Sequence, residues 1–216
     1  MAEMTLSRWP TLQVGQADEN YVEAHLLEAG NITPKMVKFA TDCGVDLEHL
    51  SAKDEIKAGK KDNIPIVFMM AQPQTLNRVA AQRNLFNKLS NKFLNSDFKP
   101  FRACNIHVHV KKLKVESLDS LLSGLYEFSV FKEEKVSIKE IHISGLSEED
   151  ADKVKQIASL YLWVFFARDL VNYPPSSKPP KTLAEKIREQ LSGLNIEVKA
   201  FTEEEIREGF DPVWKV

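Results

Sequence analysis

One stretch of this sequence limits the possible folds more than any other: the nearly continuous apolar run from Ile64 to Ala71. A short apolar run of this kind is typical of a strand that is buried on both faces. Such strands occur in parallel sheets whose two faces are both covered by helices. Pro65 has no amide hydrogen to donate, so it must lie at the start of this strand or on a sheet edge.

Patterns typical of helices and of strands alternate on both sides of this run. Apolar residues recur at helical spacing in three segments, residues 33–43, 74–93 and 118–128. Strands are predicted for residues 45–50, 64–71, 103–110 and 138–143, and a loop is predicted for the charged stretch 53–63. Strands that alternate with helices predict an α/β fold with a mixed, largely parallel sheet flanked by helices.

The sequence predicts a domain boundary near Gly145. Residues 1–145 contain the alternating strands and helices, and we expect them to fold as an independent domain. Ser147 and the acidic residues after it start a long linking helix, residues 146–173, because acidic side chains stabilise the positive end of a helix. Residues 160–166 of this helix are apolar on all sides, which indicates burial against a second domain or a partner subunit.

Residues 174–216 predict a further unit that begins after the linking helix and is left incomplete. Two Thr-x-x-Glu pairs match the capping box that starts a helix, Thr182 with Glu185 and Thr202 with Glu205. Between these two helices, residues 196–201 alternate in the manner of a strand. We therefore expect one incomplete βα segment in this part of the chain.

Composition and charge indicate which classes of partner and which cellular location to expect. The formal net charge of −2 argues against nucleic acid or an anionic membrane as the main partner. Cys43 and Cys104 are too far apart for a disulfide framework or a zinc motif. The N-terminus lacks the apolar core of a signal peptide, and the longest apolar run is far shorter than the roughly 20 residues that span a bilayer. We expect a cytoplasmic protein.

Two histidines on one predicted strand come closest to a chemical site. His107 and His109 share one face, about 7 Å apart by strand rise, and could supply two metal ligands. No carboxylate or third histidine lies close in sequence, so a half-exposed polar strand face is favoured over a metal site. His25, His49 and His142 are isolated in the sequence. The sequence therefore assigns no catalytic, cofactor-binding or metal-binding residue.

Lysine-rich stretches offer a possible contact for phosphate groups. They lie at residues 57–61 and 111–114, lack interleaved aromatic residues, and have acidic residues nearby. No glycine-rich phosphate loop and no Gly-x-Ser-x-Gly motif occurs in the sequence. Solvated loops are therefore favoured over a nucleic-acid site.

Residues 167–185 carry a family pattern. They read Ala-Arg-Asp-Leu-Val-Asn-Tyr-Pro-Pro-Ser-Ser-Lys-Pro-Pro-Lys-Thr-Leu-Ala-Glu. This segment resembles Ala-Arg-Asp-Leu-Val-Asn-Thr-Pro-Pro-Asn, then Thr-Pro and Leu-Ala-Glu, at the entry to the catalytic domain of the leucyl (cytosol) aminopeptidases. Residues 124–128, Gly-Leu-Tyr-Glu-Phe, resemble a segment on the last N-terminal-domain helix of the same family. Tyr173 replaces the usual Thr and Ser176 the usual Asn, which indicates a divergent member.

The resemblance implies a macro-like N-terminal domain, a linking helix and the truncated beginning of a catalytic domain. Enzymes of this family are two-metal exopeptidases that remove N-terminal residues from peptides with Zn, Mn or Mg and assemble as hexamers. Their metals are held by a lysine, three aspartates and a glutamate, in motifs such as Asn-Thr-Asp-Ala-Glu-Gly-Arg, and none of these motifs occurs in this sequence. The chain itself is therefore expected to hold no cofactor and to be inactive alone.

The resemblance also implies partners and a role. The expected partners are the remaining catalytic domain, which acts on peptides, and further copies of the chain in a homo-oligomer. The expected role is packing, assembly or regulation of a leucyl-aminopeptidase-like metallo-exopeptidase. Two alternatives stay open: a free-standing macro-like module that binds a nucleotide or nucleic acid, and a short paralogue that regulates or scaffolds the enzyme.

Overall fold

The computed structural model describes residues 9–16, 21–47, 55–62, 64–71, 77–94, 105–131 and 138–209. The strands among them are β1 Thr11–Val14, β2 Tyr21–Glu28, β3 Glu55–Lys61, β4 Ile64–Ala71, β5 Asn105–Val110 and β6 Glu140–Ser144. The α-helices are α1 Pro34–Asp42, α2 Arg78–Leu94, α3 Leu118–Leu125, α4 Glu148–Asn172, α5 Pro180–Leu191 and α6 Glu203–Gly209. The chain divides into two compact units, residues 7–168 and residues 169–216.

A single six-stranded sheet lies at the centre of the unit formed by residues 7–168. Its strand order is β1-β6-β5-β2-β4-β3, and every neighbouring pair is parallel except β3 with β4. The mixed, largely parallel sheet confirms the predicted α/β fold. Strands β2 and β5 are neighbours at the sheet centre although β3, β4 and α2 separate them in the chain.

One face of the sheet carries the larger apolar core. Successive side chains of a strand point to opposite faces, so alternate residues of β2, β4, β5 and β6 meet the helices on this side. The strands contribute Val22, Ala24, Val67, Met69, Ile106, Val108, Ile141 and Ile143. The helices contribute Leu85, Phe86, Leu89 and Phe93 from α2, Leu118, Leu121, Leu122 and Leu125 from α3, and Val154 and Phe165 from α4.

The opposite face divides into an apolar part and a polar part. The apolar part is formed by Leu27 of β2, Ile66, Phe68 and Met70 of β4, and Ala40 of α1 together with Cys43, Val45 and Leu47. The polar part is formed by β2, β5 and β6, which present polar side chains on this side. The two parts meet along β2.

Several predicted elements are confirmed. The run that predicted a strand forms β4, and its side chains are buried on both faces from Pro65 onward. Helix α1 starts at the predicted cap, where the Thr33 hydroxyl accepts a hydrogen bond from the Met36 amide at 3.3 Å. Gly44, which follows it, has a φ of +78°, a conformation that favours glycine at a helix end. The long helix that follows Ser147 is α4.

Two local predictions in this unit were wrong. Residues 55–61, predicted as part of a loop, form the edge strand β3. The charged side chains of this segment are typical of a loop, but its backbone forms hydrogen bonds with β4 in an antiparallel ladder. Residues 45–47 are not a strand, because Val45 and Leu47 turn inward to fill the apolar part beside α1. Residues 48–50, 74–76 and 103–104 of other predicted elements lie outside the described residues.

The second unit, residues 169–216, departs from prediction at two points. Helix α5 begins at Pro180 and not after Thr182, because a proline at the first helical position is already set to the helical φ. The strand predicted for residues 196–201 is absent, and this part of the described chain has no ladder partner. The second capping box is confirmed by hydrogen bonds from the Thr202 amide to Glu205 at 2.7 Å and from the Glu205 amide to Thr202 at 3.2 Å.

The predicted domain limits at residues 145 and 173 stay predictions. The boundary between the two compact units falls within α4, after Arg168. Across the parts of the chain that the structure describes, no helix combines the length and apolar character needed to cross a bilayer.

Candidate functional site

Three neighbouring parallel strands build the polar part of the sheet face. Its side chains are Tyr21, Glu23 and His25 from β2, Asn105, His107 and His109 from β5, and Glu140, His142 and Ser144 from β6. Adjacent positions in the register are Glu23 and His107, His25 and His109, His107 and His142, and His109 and Ser144. Parallel strands lie about 4.8 Å apart, so adjacent side chains on one face come into contact.

Glu23, His25 and His109 converge on one point of this surface. Glu23 Oε1 lies 3.2 Å from His109 Nε2, and Glu23 Oε2 lies 3.6 Å from His25 Nε2. One ligand atom from each of the three residues lies within 4.8 Å of the other two. Glu23 and His109 are 86 positions apart in the sequence, so only the strand register brings them together. The three side chains offer two imidazole nitrogens and a carboxylate to a metal ion.

Three imidazole rings pack in a row, of which His25 and His109 are stacked and His107 is tilted by 39° against His109. The His25 and His109 rings are nearly parallel, at 11°, with centroids 4.6 Å apart. The His107 and His109 centroids lie 4.0 Å apart, and His25 also stacks on Phe68 of the apolar part at 5.5 Å. This packing holds the ring planes in place and leaves the ring nitrogens at the edges of the stack.

A serine links two of these rings. Ser144 Oγ lies 3.0 Å from His107 Nε2 and 3.0 Å from His109 Nδ1. His109 therefore contacts Ser144 through Nδ1 and Glu23 through Nε2. A carboxylate only accepts hydrogen bonds, so His109 Nε2 carries the proton that it donates to Glu23.

The face is half-exposed as expected at His109 and Glu23, whose side chains are 31% and 21% exposed, but three histidines on it are buried. His107 is only 3% exposed, and His25 and His142 are also buried. Burial, followed by the charge of His109, lowers the pKa of His107 to about 4, so this ring is neutral near pH 7. Contacts with His109 and then His25 hold the pKa of Glu23 well below its usual range. Glu23 is therefore a carboxylate.

His25 carries an unsatisfied nitrogen at the point of convergence. Its Nε2 is a buried atom that has no hydrogen-bond partner among the described residues. The 3.6 Å separation from Glu23 is too long for a hydrogen bond. A buried polar atom left in this state costs about 1–3 kcal/mol. The cluster therefore has an unmet requirement for a ligand or a proton donor.

A separate polar group occupies the β6 side of the same face. Glu140 accepts hydrogen bonds from His142 at 2.9 Å, Asn105 at 3.4 Å and Gln13 at 3.3 Å. Glu140 thus accepts hydrogen bonds from three side chains, and one of them occupies His142.

The sequence offered His107 and His109 as a possible ligand pair but favoured a polar strand face over a metal site. In the structure His107 contacts Ser144, and the residues that converge with His109 are His25 and Glu23. A usable signal was present, because Glu23 and His25 have the same two-residue spacing as the other histidine pair. Without the strand pairing, nothing indicated that the two segments are neighbours. His49 lies outside the described residues.

A crevice opens at the ends of β2 and β5. The chain leaves β2 toward β4 but leaves β5 toward β6, and ligands of α/β sheets bind where the strand order diverges in this way. A cavity of about 330 Å³ lies there. It is lined by Leu26, Leu27, Glu28, Asn31, Thr33, Met36, Lys111 and Lys112.

The segments that carry the family resemblance contact each other in the structure. The Arg168 guanidinium lies 3.9 Å above the Tyr126 ring and donates a hydrogen bond to the Ser123 carbonyl at 3.1 Å. At Gly124, an added Cβ would lie only 2.1 Å from Ser90 Oγ, so this position has room only for glycine. These residues fasten α4 and α2 to the end of α3, which is a structural role.

Comparison with known proteins confirms the resemblance. No protein-family model matches the chain. A probable cytosol aminopeptidase of Clostridium tetani is 29% identical over an alignment of 143 residues, which covers 59% of this chain and 30% of the relative. The chain is therefore similar in sequence to the cytosol (leucine) aminopeptidase family over much of its length.

Two solved structures share the fold. A mutant of tomato leucine aminopeptidase matches with a TM-score of 0.67 and 17% identity, over 95% of this chain and 47% of that one. The bottromycin maturation enzyme BotP in complex with Mn matches with a TM-score of 0.56 and 15% identity, over 81% of this chain and 37% of that one. The matched regions span less than half the length of each of these relatives.

Proposed function

We propose that this chain, with its similarity to the leucyl aminopeptidases, is a non-catalytic N-terminal portion of a leucyl-aminopeptidase-like metallo-exopeptidase. Its role is packing, assembly or regulation, and the removal of N-terminal residues from peptides belongs to the rest of such an enzyme. The observation that carries this proposal is the match of nearly the whole chain, 95%, to 47% of a leucine aminopeptidase. The name of the bacterial relative, a cytosol aminopeptidase, supports a cytoplasmic location.

The donor set of the chain supports a role apart from catalysis. The family's two-metal centre needs a lysine and several carboxylates, and the motifs that supply them do not occur in the sequence. Among the described residues, the group that could hold a metal has two imidazoles and one carboxylate. These residues do not fit the two-metal centre, and no hydrolytic step is assigned to them.

Exposed leucines on two sides of α4 support a role in assembly. Leu160 and Leu162 are 58% and 44% exposed, although both lie on a helix predicted to be covered. Residues two positions apart point to different sides of a helix, so the two side chains do not form one patch. Leu160 also borders a shallow cavity of about 310 Å³ with Val115 and Ile157. Covering one such leucine contributes about 1.5–3 kcal/mol, so Leu160, beside this cavity, favours contact with the rest of the enzyme or a second copy.

An activity assay tests the absence of catalysis in this chain. The purified chain is incubated with an aminoacyl chromogenic substrate and either manganese or zinc, and we expect no turnover above buffer. The C. tetani aminopeptidase, assayed in parallel, is the positive control. Metal-dependent turnover that follows the chain through purification would overturn the proposal.

A chimera tests the role in assembly. The matched region of the C. tetani enzyme is replaced by this chain, and a second variant lacks that region altogether. We expect the chimera to keep its activity and its oligomeric mass in light scattering, and the deletion to lose its assembly. A chimera that is well folded but monomeric would contradict a role in assembly.

The second candidate function is the binding of a nucleotide or another small phosphate compound in the crevice beside β2 and β5. Lys111 and Lys112 supply positive charge, and the N-terminal end of α1 adds the partial positive charge of the helix dipole. Glu28 opposes an anion, but its side chain is engaged by Asn31 at 2.8 Å and by Arg78 at 3.8 Å. This arrangement keeps the alternative of a macro-like nucleotide-binding module open.

Calorimetric titration with AMP and ADP tests this candidate. We expect binding that weakens with salt and is lost in the Lys111→Glu/Lys112→Glu variant. Lys60→Glu on the exposed edge strand β3 removes the same kind of charge elsewhere and is the matched control. Binding that is absent, or equally weakened by the control, would exclude the crevice as a phosphate site.

A further inference from the structure

We propose that Glu23, His25 and His109 bind one divalent transition metal ion, and that zinc suits this donor set best. Two imidazole nitrogens and one carboxylate oxygen form a recurrent three-ligand set of protein zinc sites. Hard ions such as magnesium prefer oxygen ligands and keep their water, so this mixed set discriminates against them. The site goes beyond the function proposed above and does not depend on it.

The ligand spacing is close to that of a tetrahedral site. With zinc–ligand distances of about 2.0–2.1 Å, neighbouring ligand atoms of a tetrahedron lie about 3.4 Å apart. Glu23 Oε1 lies 3.2 Å from His109 Nε2, and Glu23 Oε2 lies 3.6 Å from His25 Nε2, so each imidazole nitrogen has this spacing to one carboxylate oxygen. One ligand atom from each of the three residues lies within 4.8 Å of the other two.

The unsatisfied nitrogen of His25 is the second observation that points to a ligand. His25 is 9% exposed, and its Nε2 is directed at Glu23 without forming a hydrogen bond to any described residue. A metal ion between the two residues gives this nitrogen a bond that the metal-free arrangement does not offer. It also neutralises the charge of the Glu23 carboxylate.

Ser144 and His107 orient the third ligand. When a metal occupies His109 Nε2, the ring proton resides on Nδ1, which then donates to Ser144 Oγ. The serine hydroxyl, whose oxygen lies 3.0 Å from His107 Nε2, in turn donates its proton to that nitrogen. In the metal-bound form each of these contacts therefore has one donor and one acceptor: His109 donates to Ser144, and Ser144 donates to His107.

The site keeps one coordination position open. Three protein ligands leave a fourth position for water, as in zinc sites that exchange ligands. The side chains of His109 and Glu23 are 31% and 21% exposed, which gives an ion access from solvent. His25, at 11%, forms the inner wall of the site. The site therefore suits a metal that enters after folding.

Zinc titration of the full chain tests the proposal, with competition against a chromophoric chelator to measure affinity. We expect one zinc per chain and no binding of magnesium at the same concentration. Glu23→Gln, His25→Gln and His109→Gln each remove one ligand and should weaken zinc binding more than about 100-fold, since even outer-shell changes cost about 10–100-fold. His142→Gln, a buried histidine of the same sheet face, is the matched control and should bind as the wild type does.

A second measurement keeps the proposal testable if a variant fails to fold. In histidine-labelled wild type, nitrogen NMR should show His109 change from a proton on Nε2 to a proton on Nδ1 as zinc is added. Ser144→Ala should weaken zinc binding about 10–100-fold and blur this preference without removing a ligand. Absence of zinc binding, binding that survives all three ligand variants, or an unchanged His109 tautomer would overturn the assignment.

Discussion

The two faces of the central sheet use the same strands for opposite purposes. On one face, Val22, Ile106 and Ile141 lie in a continuous apolar core beneath three helices. On the other face, one residue along, the partly exposed Glu23 and the buried His107 and His142 form a polar surface. Apolar burial stabilises a fold directly, whereas a buried polar group stabilises it only when all its partners are present. The apolar face therefore accounts for the stability of the fold, and the polar face is the better candidate for a functional site.

The largest expected effect belongs to the apolar face. Phe86 of α2 is fully buried in the core, and Phe86→Ala should lower the free energy of unfolding by about 3–5 kcal/mol because it removes the ring and leaves a cavity. Chemical denaturation of the two proteins measures this difference. His142→Gln on the polar face is the comparison, and an equal loss there would remove the energetic distinction between the faces.

The next largest expected effect is the gain in unfolding free energy when zinc binds to the polar face. At a zinc concentration 100 times its dissociation constant, wild type should gain about 2.7 kcal/mol of unfolding free energy, since zinc binds only the folded chain. Glu23→Gln, weakened more than about 100-fold, should gain less than about 0.4 kcal/mol from the same zinc. Without zinc it should be about 1 kcal/mol less stable than wild type, because one charged acceptor is lost. Thermal unfolding with zinc and with a chelator measures both terms. Equal stabilisation of the two proteins would contradict the site.

A methyl group added at Gly124 tests how tightly α3 packs against α2. Gly124→Ala places a Cβ against Ser90 of the neighbouring helix and should destabilise the chain by about 1–3 kcal/mol through overpacking. Ser90→Ala removes the nearest atom, so the double variant should recover part of the loss in urea denaturation. Additive losses in the two substitutions would show that α2 and α3 do not meet at this point.

The smallest expected effect is on the exposed leucines of α4. Leu160→Ser and Leu162→Ser should each change monomer stability by less than about 0.5 kcal/mol, because these side chains are largely exposed. The two leucines lie on different sides of the helix, so if one side contacts another copy, the variant on that side should lower the oligomeric mass in light scattering. Lys155→Ser on the same helix is the control. A wild type that is monomeric at all concentrations would exclude self-association through these side chains.

Local patterns in the sequence were sufficient where one face of an element is apolar. The run 64–71 predicted β4, and the Thr33 cap predicted the start of α1. Sequence patterns failed where strand pairing matters more than composition. The charged segment β3 is a strand because its backbone forms an antiparallel ladder with β4. The strand predicted for residues 196–201 failed for the opposite reason, since an alternating pattern without a partner does not form a strand.

The sequence by itself determined the α/β class, the order of most elements and the family resemblance, because these depend on local periodicity and on short contiguous motifs. Tertiary structure alone decided the candidate metal site. Glu23 and His25 lie on β2, His109 lies on β5, and the chain inserts β3, β4 and α2 between them before β5 returns beside β2. Only that pairing, which depends on helices covering the opposite face, places the three ligands together.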